Sequence, residues 1–129
     1  MRPRGRATGR ILDGARAAAL AVLLAGCTTF PPPAPISEVG VIAGQWRGTI
    51  QFGRGPYEFF YLTVNPDGGI VAWWGSTTRW GHVALGGSRA RFALYLWSGD
   101  LEYFEGAGRR LITLREDFDG FNAQATPLR

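Results

Sequence analysis

Residues 45–52 read Gln45-Trp46-Arg47-Gly48-Thr49-Ile50-Gln51-Phe52, and this stretch decides the fold class. Nonpolar or small residues occupy every second position, and polar residues occupy the positions between them. A period of two places successive side chains on opposite faces of a β-strand. The stretch therefore predicts a strand that buries one face and wets the other.

Seven further segments of similar composition follow it, separated by short turns. They cover residues 57–64, 70–75, 80–85, 89–97, 101–105, 109–116 and 121–126. The intervening turns at 53–56, 65–69, 76–79, 86–88, 98–100, 106–108 and 117–120 are too short for the crossovers that parallel strands need. Closing an antiparallel meander removes both of its exposed edges. We therefore predict an all-β, up-and-down barrel of about eight strands, with a flattened β-sandwich as the alternative.

The same alternation predicts which side chains face the interior. Segment 57–64 should point Phe60, Leu62 and Val64 inward. Segment 89–97 should point its even-numbered residues inward, Leu96 included. An eight-stranded barrel is just wide enough to be filled by side chains or to hold one small ligand. The chain has 5 Trp, 4 Tyr and 8 Phe, all after residue 27, and this abundance of rings favours a filled interior.

The aromatic residues exceed what so small a core buries easily, and we expect some of them to form an exposed row. Exposed aromatic patches are typical of binding surfaces. The candidate binding surface comprises Tyr57, Phe59, Tyr61, Trp73, Trp80 and Trp97.

The N-terminus has the pattern of a bacterial secretion signal. Residues 1–26 contain five Arg and one acidic residue, and the apolar run 17–25 is too short to span a membrane. The run ends in Leu24-Ala25-Gly26-Cys27, which resembles the lipobox of bacterial lipoproteins. That resemblance implies cleavage before Cys27 and a covalent lipid on its sulfur; the alternative is a buried thiol. We divide the chain into a signal peptide (1–26), a lipidated Cys with a Pro-rich spacer (27–38) and a barrel domain (39–129).

The resemblance also implies where the protein is found and what it contacts. Thr28 in place of an Asp after the lipidated Cys favours the outer membrane, facing the periplasm. The membrane would be contacted through the lipid anchor. The net charge of +4 lies entirely in residues 1–26, so the remainder has no basic excess for binding nucleic acid.

Gly44-Gln45-Trp46 resembles the Gly-x-Trp signature of lipocalins and of shorter lipocalin-like barrels. In those families the Trp closes one end of the barrel, often under an Arg from a late strand. The resemblance implies that Arg115 or Arg129 covers Trp46 here. It implies a fold more than a function, because this architecture hosts carriers, inhibitors and structural domains alike.

The sequence contains no recognisable catalytic or metal-binding set. The one Cys and one His cannot supply a four-ligand zinc site, and we expect His82 to face water. The acids near two turns, at 100–105 and at 116–119, are interpreted as solvated turn residues. We therefore predict no enzyme activity, no metal and no cofactor other than the lipid on Cys27.

Three functions fit these observations. The first is a non-catalytic, lipid-anchored module that binds or scaffolds an envelope protein or peptidoglycan through its surface. The second is an inhibitor of an envelope hydrolase, which would need a projecting loop. The third is a carrier of a small apolar ligand, which would need a hollow barrel.

Overall fold

The computed structural model describes residues 31–86 and 89–128. Their strands form one closed antiparallel barrel. A short 3-10 helix, Val39–Val41, precedes the first strand. The strands are β1 (Gly44–Phe52), β2 (Tyr57–Val64), β3 (Gly69–Trp74), β4 (Thr77–Gly86), β5 (Arg89–Leu94), β6 (Trp97–Gly106), β7 (Arg109–Glu116) and β8 (Phe121–Pro127). Each strand pairs with the next, and β1 pairs with β8. The predicted closed barrel is confirmed.

The core consists of the inward-facing side chains of all eight strands. On β1 the side chains of Trp46 and Ile50 are buried, and on β2 those of Phe60, Leu62 and Val64 are buried, as the alternation predicts. Each of the eight strands contributes buried side chains to a single hydrophobic cluster, in which aromatic rings pack against Ile, Leu, Val and Ala. Side chains therefore occupy the region enclosed by the strands.

Glycine permits β1 to approach β8 closely enough to close the barrel. Gly48 pairs with Phe60 on one side and with Ala125 on the other, and a Cβ atom there would overlap the backbone oxygen of Gln124. Gly81 and Gly99 are packed against neighbouring backbone in the same way. Glycines inside strands commonly mark sharp bends or close backbone approach in barrels. These positions therefore allow strands of ordinary length to curve into a narrow barrel.

One predicted strand boundary is wrong, because β5 ends at Leu94 and β6 starts at Trp97. The turn is Tyr95-Leu96, whereas the sequence places it at residues 98–100. Gly99 instead lies within β6, where it makes one of the close approaches described above. Leu96, expected to face inward, is 82% exposed.

The turn between β3 and β4 is also shorter than the sequence suggests. The predicted loop 76–79 is mostly strand, since β4 begins at Thr77 and Thr77 pairs with Trp74. The predicted turn 86–88 begins in strand at Gly86, and its other two residues lie outside the described residues. The remaining predicted turns lie between strands, except that Gly69 already belongs to β3 and Gly106 still belongs to β6.

The segment before β1 caps one end of the barrel, called here the cap end. Ile36 and Ile42 are buried, and the indole Nε1 of Trp46 donates a hydrogen bond to the Ile42 carbonyl at 2.9 Å. The guanidinium of Arg110 lies 5.1 Å from the Trp46 ring centroid and donates to the Val41 carbonyl. Arg110 therefore ties the segment to the barrel by stacking and hydrogen bonding together.

The Arg that covers Trp46 is thus Arg110 and not Arg115. Arg110 also donates to the Tyr103 hydroxyl at 3.0 Å. Arg115 is exposed on the outer face and pairs with Asp119, and Arg129 lies outside the described residues. Side chains alternate between the two faces of a strand. On β7 the even-numbered residues face inward, so Arg115 faces outward and Arg110 does not.

Contact with the barrel begins before Val39. The amide N–H of Ala34 donates to the Tyr103 carbonyl at 2.6 Å, in a single β-bridge beyond the last β5–β6 pair, Ala90 with Leu101. From Ala34 onward, the predicted spacer therefore lies against the barrel.

We predict that Gly48→Ala destabilises the protein, because the added methyl overlaps the backbone of β8. Overpacking of this kind costs about 1–3 kcal/mol or more. Urea unfolding of the purified chain, followed by circular dichroism, measures the change. The matched control is Gly86→Ala, where an added Cβ meets nothing within 4 Å. Equal stability of the two variants would contradict the proposed role of Gly48.

Candidate functional site

The outer surface of β2 carries the exposed aromatic row that the sequence predicts. Tyr57 is 65% exposed and Phe59 is 75% exposed, while the intervening residues point to the interior or to the barrel end. Tyr61 continues the row and is half-buried. Apolar side chains this exposed are seldom explained by packing, so the row is a candidate binding surface.

The row extends across β3 and β4. Tyr61 pairs with Trp73, and their rings stack with centroids 5.3 Å apart and an interplanar angle of 9°. Trp80, 66% exposed, pairs with Val71 and is the diagonal neighbour of Trp73. We call the outward side chains of Tyr57, Phe59, Tyr61, Trp73 and Trp80 the aromatic face. Its side chains project from three neighbouring strands of the sheet.

Trp97 is the one predicted surface residue that does not lie on the aromatic face. It opens β6 opposite Leu94 and faces the interior, with its ring 5.9 Å from that of Trp74 and 5.7 Å from that of Phe121. The alternation in the sequence predicts one strand over residues 89–97, in which Trp97 faces outward. The turn at Tyr95-Leu96 starts a new strand at Trp97, so that prediction is wrong. Trp97 is only partly buried, because it lies at the barrel end.

That barrel end, opposite the cap end and called here the mouth, contains a cleft that the sequence does not predict. The cleft has a volume of about 480 Å³ and opens widely to solvent. Its lining comprises Phe52, Glu58, Trp74, Gly75, Ser76, Thr77, Arg79 and Trp97. Three aromatic rings, one carboxylate and one guanidinium therefore share a single concave surface.

Arg79 lies on the inward register of β4, opposite Ala72 of β3. Its guanidinium lies 5.0 Å from the ring centroid of Tyr95, and its Nη1 donates to the Thr78 carbonyl at 2.9 Å. Its Nε is buried and has no hydrogen-bond partner among the described residues. A buried donor without a partner is costly and is an uncommon feature of native structures.

Of the acids at the mouth turns, Glu116 is buried and not solvated as predicted. Glu116 is only 6% exposed, and it accepts hydrogen bonds at 2.8 Å from the amides of Phe118 and Gly120. It thereby closes the β7–β8 turn. His82, by contrast, is exposed as expected.

Arg91 links two strands to the β7–β8 turn. It pairs with Asp100 at 3.0 Å and with Asp117 at 2.5 Å. The hydrogen bond from Arg91 holds the pKa of the Asp117 carboxyl below its usual value. A lowered pKa in the folded state stabilises the protein above the usual Asp pKa, and the contribution is lost as the pH falls through the lowered value. Both partners are solvated, so this contribution is small.

Within residues 31–86 and 89–128, no three His, Cys, Asp or Glu side chains are grouped to hold a metal ion. The same part of the chain contains no helix with the length and hydropathy needed to cross a membrane.

The chain was compared with known proteins at the levels of family, sequence and structure. No family model, curated protein or solved structure matches it.

We predict that the Phe59→Ser, Trp80→Ser double variant folds as the parent does, since both side chains project into solvent. Surface substitutions of this kind usually change stability by about 0.5 kcal/mol or less. The matched control is Phe60→Ser, one residue along β2 and 0% exposed, which should cost about 3–5 kcal/mol. Thermal unfolding by circular dichroism separates the two cases. Unfolding of the double variant would show that the aromatic face is part of the core.

Proposed function

We propose that this protein is a lipid-anchored binding module of the bacterial envelope, acting through its surface without catalysis. The observation that carries the proposal is the aromatic face, on which Tyr57, Phe59 and Trp80 are each 65% exposed or more. Tyr and Trp combine large apolar area with a polar atom, which suits them to interfaces. A protein or glycan of the envelope is the proposed partner.

The filled interior supports surface binding over transport of an apolar ligand. Rings from β1, β2, β3, β6 and β8 pack against one another within the barrel, with centroid separations of 5.5 to 6.5 Å. A carrier would need the volume that these rings occupy. Exposed apolar side chains are therefore available to a partner on the outer surface.

The proposed anchor is the lipid on Cys27, with cleavage of residues 1–26 and attachment to the outer membrane on its periplasmic side. Two or more acyl chains are needed to hold a protein firmly on a bilayer. The described chain enters the barrel at the cap end, where Ala34 is hydrogen bonded to Tyr103. The aromatic face lies on the wall of the barrel and is not covered by the segment 31–43, which packs at that end.

Inhibition of an envelope hydrolase is the second candidate, and the mouth turns favour it. Leu96 is 82% exposed and Phe118 is 90% exposed, and both lie at turn tips on the same end of the barrel. Apolar turn tips of this kind can enter a groove on a partner protein.

The anchor predicts the behaviour of a Cys27→Ala variant. Expressed in its own host, the variant should move from the membrane fraction to the soluble fraction, because it lacks the sulfur that bears the lipid. Immunoblotting of the separated fractions checks this, with a Thr28→Ala variant as the control that retains the Cys. A variant that still fractionates with membranes would overturn the lipid anchor.

The aromatic face is tested by photocrosslinking in the intact envelope. We predict that a photoreactive amino acid at position 59 or 80 forms a crosslinked product, and that one at Gln124 does not. Gln124 is an exposed outward residue of β8, so it controls for chance encounters. A further probe is placed at position 96, and a crosslink from that probe alone would favour the inhibitor. Equal crosslinking at positions 59, 80 and 124 would contradict a specific surface.

A further inference from the structure

The mouth cleft combines aromatic walls with two charged groups whose hydrogen-bonding capacity is only partly used within the described residues. Phe52, Trp74 and Trp97 supply the walls, and Trp97 is partly exposed there. Glu58 is exposed at the rim and forms no salt bridge among the described residues. Arg79 contributes a guanidinium with one of its five donors bonded to Thr78 and with Nε unpartnered. A ligand in the cleft therefore meets rings, one acceptor and several donors.

The charges of the cleft disfavour a purely apolar ligand. Such a ligand would remove water from Glu58 and Arg79 without replacing the lost hydrogen bonds. Burying a charged group without a partner costs several kcal/mol in the extreme and is avoided in native sites. The bound molecule must therefore offer both donors and acceptors.

An anionic ligand is disfavoured for a different reason. Glu58 and Arg79 carry opposite charges, so the cleft is formally neutral. An anion attracted to the guanidinium would also meet the like charge of the Glu58 carboxylate, which is destabilising at short range. A neutral molecule with hydroxyl groups satisfies both side chains, since each hydroxyl donates one hydrogen bond and accepts others.

We propose that the mouth cleft binds a neutral saccharide ring. The apolar face of a sugar ring packs on Trp97 or Phe52, while its hydroxyls bond to Glu58 and Arg79. The site is separate from the aromatic face, because its lining residues point inward or toward the barrel end. The inference goes beyond the proposed function and does not depend on it.

The test is a titration of the full chain, purified from its host in mild detergent, with three methyl glycosides. These are methyl β-glucoside, methyl β-galactoside and methyl N-acetyl-β-glucosaminide. The readout is the NMR signal of the Trp97 indole N–H, assigned through Trp97→Phe. We expect at least one glycoside to shift this signal with Kd on the order of 1–10 mM, as a small ligand in an open site would. Cyclohexanol and cyclohexanecarboxylate, as apolar and anionic rings, should bind at least about tenfold more weakly.

Side-chain variants locate the binding. Glu58→Gln and Arg79→Gln should each weaken glycoside binding about tenfold, the loss typical of a hydrogen bond to a charged group. The matched controls are Glu102→Gln and Arg109→Gln, exposed residues away from the cleft, which should bind as the parent does. If Arg79→Gln fails to fold, Glu58→Gln decides alone, because Glu58 is exposed and unpaired within the described chain.

Three results would overturn the proposal. The first is that no glycoside shifts the Trp97 indole signal at ~100 mM. The second is that cyclohexanol or cyclohexanecarboxylate binds as tightly as the glycosides. The third is that Glu58→Gln binds the glycosides as tightly as the parent does. The Phe59→Ser, Trp80→Ser variant should keep glycoside binding, and a Glu58→Gln variant that carries the photoreactive amino acid at position 80 should keep its crosslink. The two proposals can therefore fail independently.

Discussion

The pairing of β1 with β8 is the constraint on which the rest of the structure depends. It runs from Trp46 opposite Pro127 to Phe52 opposite Phe121, and it removes the two edges that an open sheet would expose. Closure also brings β1 so close to β8 that Gly48 has no room for a Cβ atom, and it packs the ring of Phe52 against that of Phe121 where this pairing ends. Because the inward rings fill that space, aromatic residues of outward parity have no place in the core.

The sequence predicts most of this fold because nonpolar and polar residues alternate clearly along several of the strands. The bounds of β2 and β7 match the prediction, and β1 differs by one residue, since turn residues such as Gly, Pro and Asp flank these strands. The β5–β6 turn is missed because Tyr95 and Leu96 carry no turn signal. Gly99, which suggests a turn, instead lies inside β6 and permits the backbone of β7 to approach closely. Local composition cannot distinguish a glycine that turns the chain from one that bends a strand.

The same distinction explains which site residues were predictable. Tyr57, Phe59 and Tyr61 lie on a strand with clear parity, so their outward direction follows from sequence. The sequence places Trp97 at the end of the preceding strand and Arg79 inside a turn, so it assigns neither side chain to the barrel interior. The cleft also needs β1, β2, β3, β4 and β6 to meet at one barrel end, and that meeting is a property of closure.

The strands that carry the aromatic face also carry the mouth cleft. On β2, Glu58 lines the cleft and Phe59 projects outward; on β4, Arg79 lines the cleft and Trp80 projects outward. Adjacent residues thus serve opposite sides of one wall, and a slip of register by one residue would exchange them. The Tyr61–Trp73 stack on the outer side and the Trp74–Trp97 packing on the inner side both resist such a slip. The ring pairs therefore have a structural role, because the register they hold keeps the two surfaces distinct.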